Sequence, residues 1–483
     1  MSGLRGKMKE KIKIESIIYW TNCNLISGNK KNYIESISTD SRTIEKGDFF
    51  IPLTGENYNG HNFIESALKK DAGGFVFESR YKGKLELWKR SSKTENLDNL
   101  VILQADNNLN FLKNIAHNYI RKFNPTVIGI TGSVGKTTTK NFLVSILNKE
   151  HRVEFTPRNY NTEIGVSESI LEIDGRTDFF IAELGMRGKG QIEMLSSICN
   201  LDIGAITAVG ESHITFFKNL REIAMAKAEM AEILYKNNGV LFLNNDDRYS
   251  SLIEKKVNCR VIRFGRNNNI AFNFIEENVD EMGRFNFNFF KGDNRITNVG
   301  LNIPGYHNIY NACCAAAVCS YLNISGETIK AGIEGALIEG SRMEIIKKKD
   351  KIIINDCYNA SPLSVKGAVD TLILISEKKN MRSVAILGDM LELGSGSPRF
   401  HREVGRYLSQ KKVDVLIAFG EFASNICRGY SKSSDFNKNK NLCFYFKDKK
   451  ELSGQIGSLL QSGDLVLIKG SRANKMEDII NLI

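Results

Sequence analysis

The stretch Thr126-Val127-Ile128-Gly129-Ile130-Thr131-Gly132-Ser133-Val134-Gly135-Lys136-Thr137-Thr138-Thr139-Lys140 leaves a chain few ways to fold. Apolar and β-branched residues predict a strand over Val127–Ile130, the glycines predict a tight loop, and Phe142, Leu143, Ile146 and Leu147 recur at helical spacing. A strand that turns through glycines into a helix can cradle phosphate, because backbone N–H groups approach the oxyanion and the helix presents its positive end. Thr131, Gly132, Ser133, Val134, Gly135, Lys136, Thr137 and Thr138 are therefore the candidate ATP-binding residues, with Lys136 on the β and γ phosphates and the Thr137 hydroxyl on Mg²⁺. The loop is shorter than G-x-x-x-x-G-K-[ST], since Ile130 stands where that pattern has its first glycine. A Gly-Lys-Thr after a strand also occurs in ordinary turns, so the surroundings must decide.

At 483 residues the chain exceeds one core, and ~150 residues per domain predicts about three. Over 1–105, short strands (Asp48–Leu53, Gly74–Phe77, Leu100–Leu103) alternate with a helix from Phe63 to Lys70, turn-rich pieces at 39–42 and 54–61, and a loop at 91–99. A helix from Phe111 to Phe123 leads to Pro125 and the second unit, 106–341. There, strands Val127–Ile130, Phe179–Ala182, Ile203–Ala208 and Val240–Leu243 alternate with helices, the pattern of a largely parallel sheet covered on both faces. Period-two apolarity around Phe285, Phe287 and Phe289 predicts an appended β-hairpin. The third unit, 342–483, again alternates: strands Lys351–Asn355, Ser383–Leu387, Val413–Phe419 and Leu465–Lys469.

In parallel sheets ligands sit at the carboxyl ends of the strands. Glu183, after Phe179–Ala182, is placed there as a hard oxygen donor for Mg²⁺. His213 follows the next strand, and Lys227 lies in a helix expected over Arg221–Tyr235. Asn159 to Gly165 forms an amide-rich loop able to line the same cleft. Asn308 and Asn311, heading an Ala/Cys-rich helix, offer donor and acceptor groups to a purine edge. Ser41, Arg42 and Gly55 can bind a diphosphate, the arginine as a bidentate clamp and the glycine through its exposed amide.

Lys and Arg exceed Asp and Glu by 66 − 55 = 11. The basic residues are scattered without interleaved aromatics, which disfavours nucleic acid; a soluble basic surface accounts for the excess, with a polyanionic small substrate as the alternative. Nine cysteines with no C-x-x-C imply reduced thiols, neither a disulfide frame nor a zinc site. The basic N-terminal segment lacks an apolar run of signal-peptide length, and no later run approaches ~18 apolar residues. A cytoplasmic protein is expected.

Four segments in this order carry a resemblance: the Thr131 to Thr137 loop, Tyr306-His307-Asn308 to Asn311, Asn355 to Pro362, and Leu387-Gly388-Asp389-Met390-Leu391-Glu392-Leu393-Gly394 with His401-Arg402-Glu403-Val404-Gly405. They resemble those of the Mur ligases over nearly the whole chain. The resemblance implies an α/β fold of three domains: an N-terminal UDP-binding domain, a central P-loop domain with a mostly parallel sheet, and a C-terminal Rossmann-like domain. It implies an ADP-forming ligase of peptidoglycan synthesis, the member acting on UDP-N-acetylmuramoyl-tripeptide and D-alanyl-D-alanine, as a monomer. The tripeptide carboxylate would take the γ-phosphate of ATP, and the dipeptide amine would displace phosphate from the acyl phosphate.

The resemblance further implies two Mg²⁺ ions held among Thr137, Glu183, His213 and Lys227, the last carbamylated, and ATP contacts from Asn308, Asn311, Arg342 and Asp356. Lys136, Glu183, His213 and Lys227 are the catalytic set. Thr162 and Asn59 depart from the family pattern, which has a second Asn and an acidic residue there. The alternatives are a sister ligase or folylpolyglutamate synthase, opposed by the Gly388–Gly394 segment and the lack of Asp-Asn-Pro-Arg, and a nucleic-acid-binding P-loop ATPase, which no recognition motif supports. Whether the third peptide residue is lysine or diaminopimelate is not written in these motifs.

Overall fold

The computed structural model describes residues 8–55, 58–92, 100–338, 340–437 and 440–483. Three large sheets organise them, beside a short antiparallel pairing of Ile12–Lys13 with Tyr33–Ile34. The N-terminal sheet runs Asn24–Ser27, Val101–Ala105, Gly74–Glu78, Phe49–Phe50, Ile37–Ser38, parallel except at its first edge. The C-terminal sheet runs Glu344–Lys348, Lys351–Asn355, Leu465–Lys469, Ser383–Gly388, Val415–Phe419, Leu442–Phe446, again parallel beyond its first pair.

The central sheet has strand Thr126–Thr131 between Ile203–Ile206 and Phe179–Glu183, with Val153–Phe155 at one edge and Val240–Asn244 and Arg260–Gly265 continuing the other way. These strands pair in parallel and bury both faces, so their inner residues are almost continuously apolar. The expected hairpin is instead a three-stranded extension, Phe272–Val279, Phe285–Lys291 and Asn294–Gly300, hydrogen-bonded to the same sheet. Alternation in Phe285–Lys291 exposed one strand, but in Phe272–Val279 it stops after Phe274, and Asn294–Gly300 has only Ile296 and Val299 as apolar side chains.

Other boundaries also move. The strand expected at Asp48–Leu53 pairs only at Phe49–Phe50. The helix ending at Phe123 begins at Asn108, because the Asn107 side chain accepts the Asn110 amide and caps it. The helix expected over Arg221–Tyr235 is two, Leu220–Ala228 and Met230–Lys236; Glu229 between them turns its carboxylate to the Gly190 amide, 2.8 Å away. Ser91 closes helix Leu85–Ser91, and the rest of the expected loop, 93–99, lies outside the described residues, as do 56–57 of the turn at 54–61.

Packing joins the units. Helix Asn108–Phe123 buries Phe111, Leu112, Ile115 and Tyr119 in one core with Phe49 and Leu103 of the first sheet and Val127 and Phe180 of the second. Helix Lys136–Leu147 packs on helix His307–Tyr321, whose Ala and Cys side chains allow a close approach. Helix Pro362–Lys379 of the third unit meets the central unit at every fourth residue: Leu363 against Gly210, Gly367 against His307, Thr371 against Gly305, Ile375 against Gly283, and Lys379 Nζ 3.0 Å from Glu281 Oε2.

Candidate active site

The phosphate loop emerges from the middle of the central sheet. Gly132 and Gly135 have φ of 156° and 86°, and a Cβ on either would fall within 2.2 Å of a neighbour, Thr207 Oγ1 and Asn311 Oδ1 respectively. Only glycine lets the loop turn here and lets another chain segment approach so closely. Its shape is held by Ser133 N donating to Ala208 O at 2.7 Å and Ser133 Oγ to Gly210 O at 2.9 Å. Gly135 caps the helix that starts at Lys136, leaving its first amides for an anion.

Sheet register sets Glu183 opposite Ile130, level with the loop. Thr137 Oγ1 donates to Glu183 Oε2 at 2.7 Å, Asn161 Nδ2 to Oε1 at 3.1 Å, and Arg342 of the third unit donates to Thr137 Oγ1 at 3.0 Å. Burial would raise Glu183, yet Lys136, Lys140, the Thr137 bond and Arg342 together hold it below the usual carboxylate range. The same burial lowers Lys136, partly offset by Glu183, and its Nζ meanwhile donates to Gly132 O at 2.8 Å. An alkyl-ammonium curled onto its own loop is positioned to exchange that carbonyl for phosphate oxygen.

A cavity of about 870 Å³ opens between the central and C-terminal units. The loop from Ser133 to Thr138, Glu183, His213, Asn308 and Asn311 line it on one side, and Arg342 and Asp356 on the other. Thr131 and Gly132 lie behind this wall; Thr131 Oγ1 is spent on Leu184 O at 3.0 Å. The guanidinium of Arg342 sits 3.9 Å over the Tyr358 ring, and Asp356 pairs with Lys469, which also donates to Asn359 O at 2.8 Å. Asn161 belongs to the amide-rich loop and Tyr358 to the Asn355–Pro362 segment already marked in the sequence, whereas Lys469 takes part without any such signal, because its partner Asp356 lies 113 residues away.

Several expected contacts look different in three dimensions. Asn308 Nδ2 donates to Pro304 O at 2.7 Å and its Oδ1 accepts from Asn311 Nδ2 at 2.9 Å, so each end of Asn308 already holds one partner within the protein. Gly55 N donates to Tyr58 O at 2.9 Å, closing a turn, so its amide is not offered to a diphosphate. Arg42 is 71% exposed and held by Asp40 through Nε at 2.9 Å and Nη2 at 2.6 Å; Lys70 Nζ fixes the Ser41 and Arg42 carbonyls at 2.9 Å. Ser41 and Arg42 thus share one braced loop, with Gly55 in a separate turn.

The expected metal donors are also dispersed. Among the described residues no three His, Cys, Asp or Glu side chains gather as a metal-binding group. Thr137 and Glu183 present adjacent hard oxygens that suit Mg²⁺. His213 instead pairs through Nδ1 with Glu392 Oε2 of the third unit. Lys227 is 2% exposed, with no carboxylate partner among the described residues; burial and nearby Lys136 push it well below the usual ammonium range.

A glycine phosphate loop at the carboxyl end of a parallel strand, facing a cleft closed by a second parallel-sheet unit, is the architecture of a nucleotide-dependent group-transfer enzyme. Family models agree: Mur ligase family, catalytic domain, matches residues 33–128, Mur ligase middle domain 130–319, and Mur ligase, glutamate ligase domain, 341–472. The chain belongs to the Mur ligase family and is a ligase of that family. It is 33% identical over 93% of its length, and 93% of the relative's, to UDP-N-acetylmuramoyl-tripeptide--D-alanyl-D-alanine ligase of Bacillus subtilis (strain 168). Its fold matches the crystal structure of MurF from Acinetobacter baumannii with a TM-score of 0.86 at 26% identity, covering 98% of this chain and 99% of that one. It also matches MurF ligase from Thermotoga maritima in complex with ADP, with a TM-score of 0.77 at 25% identity over 92% and 96%.

Proposed function

We propose that this ligase joins D-alanyl-D-alanine to UDP-N-acetylmuramoyl-tripeptide, consuming ATP in the synthesis of a peptidoglycan precursor. The observation that carries the reading is the convergence, in one cleft, of the Lys136 loop, Glu183 and Arg342 with Glu392 of the Gly388–Gly394 segment. The three expected domains, 1–105, 106–341 and 342–483, divide the labour as substrate holder, ATP site and amine-bringing lid.

In this reading the loop amides and Lys136 bind the β and γ phosphates, and Arg342 crosses the cleft to the same end of ATP. The tripeptide carboxylate then attacks the γ-phosphorus, ADP leaves, and the acyl phosphate carbonyl is taken by the dipeptide amine, releasing phosphate through a tetrahedral intermediate. Crowded negative charge makes positioning and cationic clamping the main sources of rate. Thr137 and Glu183 would hold one Mg²⁺, and His213 with Lys227 a second. The metals would neutralise charge developing on the transferred phosphoryl group. Deeply buried Lys227 favours the neutral amine, the form that adds CO₂, and carbamylation would turn a repelling cation into an oxygen ligand. Asp356, tied to Lys469, and Asn311 border the nucleotide, while Ser41 and Arg42 take the UDP diphosphate. Closure of the third unit keeps water from the acyl phosphate.

Nine free cysteines fit a reducing cytoplasm, where the enzyme works as a monomer, and no helix of the described residues is long and apolar enough to cross a membrane. The deciding experiment is product mass after incubation with ATP, Mg²⁺, D-alanyl-D-alanine and each UDP-tripeptide, lysine or diaminopimelate. A product heavier by the dipeptide less water supports the reading. Phosphate release with single amino acids but not with the dipeptide overturns it in favour of a sister ligase.

A further inference from the structure

We infer that Glu168, on the central unit, is a positioning residue for the sugar-nucleotide substrate, acting through Thr39 on the loop that carries Ser41 and Arg42. The inference rests on the proposal that this loop takes the diphosphate.

Thr39 Oγ1 donates to Glu168 Oε1 at 2.6 Å across 129 residues of sequence. Glu168 is 4% exposed and lies in helix Glu163–Ile170 between Val166 and Ile170, both fully buried. An apolar side chain would fill such a place at less cost, since burying a carboxyl is unfavourable unless it is bonded. Glu172 and Asp40 are the charged groups that bear on it, and burial with their repulsion pushes it up to about 7 despite the Thr39 bond.

The bond's value lies in what its two ends are attached to. On one side Thr39 opens a braced turn: Asp40 N donates to Ser38 Oγ at 3.2 Å, Thr43 N to Asp40 O at 3.1 Å, and the Asp40 carboxylate takes Arg42 N at 2.9 Å together with its guanidinium. On the other side the helix begins where the Asn159–Thr162 loop ends, and Asn161 of that loop bonds Glu183. One short rigid helix therefore ties the diphosphate loop at its far end to the phosphate-transfer carboxylate at its near end. Glu168 sets where Arg42 stands relative to the ATP cleft, although it touches neither ligand.

The test uses full-length Glu168→Ala, Glu168→Gln, Thr39→Val, the Glu168→Ala/Thr39→Val double variant and Arg42→Ala. Steady-state kinetics, calorimetric binding of the UDP-tripeptide without ATP, and melting temperatures are measured on each. Glu168→Ala and Thr39→Val should each weaken UDP-tripeptide binding and raise its KM by about five- to tenfold, the loss of one hydrogen bond. kcat and the KM for ATP should stay within about twofold. The double variant should be no worse than either single one, and Glu168→Gln, which keeps a carbonyl acceptor for Thr39, should bind like the parent.

Equal loss of affinity for both substrates, additive effects in the double variant, or normal binding by folded Glu168→Ala overturns the inference. If Arg42→Ala weakens sugar-nucleotide binding while Glu168→Ala does not, the loop assignment stands and only the role of Glu168 falls. If Arg42→Ala is silent, the loop assignment fails and takes the role of Glu168 with it.

Discussion

Nδ1 of His213 in the central unit lies 2.5 Å from Oε2 of Glu392 in the C-terminal unit. The contact is doubled by the backbone, where Thr215 N donates to Glu392 O at 3.3 Å. Glu392 has a φ of 61°, a left-handed conformation that a non-glycine residue adopts only when its surroundings hold it. The pair is partly exposed and lacks the angles of a hydrogen bond, so it is an ion-pair contact worth about 1 kcal/mol or less in water. Glu392→Ala should therefore lower kcat by no more than about fivefold, leaving the KM for ATP unchanged, if its part is to seat the third unit. A loss beyond a hundredfold in steady-state assays would mean that Glu392 itself meets a substrate.

Arg342 reaches Thr137 from the third unit, so the proposed ATP site would be complete only with that unit in place. Arg342→Ala should reduce turnover by about a hundredfold, the scale of one lost charge-stabilising group, while UDP-tripeptide binding stays intact. Calorimetry and phosphate-release assays on the same preparation check the split. Equal loss in both would place Arg342 in the general support of the cleft.

Lys227 is the buried amine whose modification the proposed second metal needs. Lys227→Ala should keep the parental fold by circular dichroism and lose about a hundredfold or more in kcat. Short carboxylic acids such as acetate should restore part of it by standing in for the carbamate. No rescue from a folded variant would count against carbamylation.

Glu168 also predicts a pH dependence of stability. Its folded value, about 7, lies above the ordinary 4.5, so the native state binds the proton more tightly than the unfolded chain. Below about pH 4.5 both states are neutral there; as pH rises toward 7 the unfolded chain ionises freely and the fold loses stability; above 7 the loss is constant. Glu168→Gln removes this loss. Relative to the parent it should gain about 2 kcal/mol more at pH 8 than at pH 5, read from denaturant melts. An equal effect at both pH values would refute a shifted carboxyl at this position.

The phosphate loop and the parallel strands around it were legible because each is set by neighbours in sequence: β-branched runs, glycines at the turn, helical apolar spacing after Lys136. Glu183 was legible for a related reason, since a residue ending a strand of a parallel sheet must fall at the ligand edge. Strand Glu344–Lys348 escaped notice because its edge position leaves it half solvated and rich in lysine. Strand Leu442–Phe446 was passed over as well, lying after a polar stretch that reads as loop. The Gly388–Gly394 segment could be matched to a family from its letters, but no local pattern tells that its Glu392 turns toward His213.

From local chemistry, then, the chain by itself determined where strands turn into phosphate-facing loops and which residue types stand there. Tertiary structure alone decided which of those groups are spent on one another. His213 read as a loop imidazole until packing set it against Glu392, and Thr137 as a free hydroxyl until Glu183 and Arg342 were found on it. Hydrogen-bond partners distant in sequence are selected by how helices and sheets pack, and that packing depends on the whole buried surface at once.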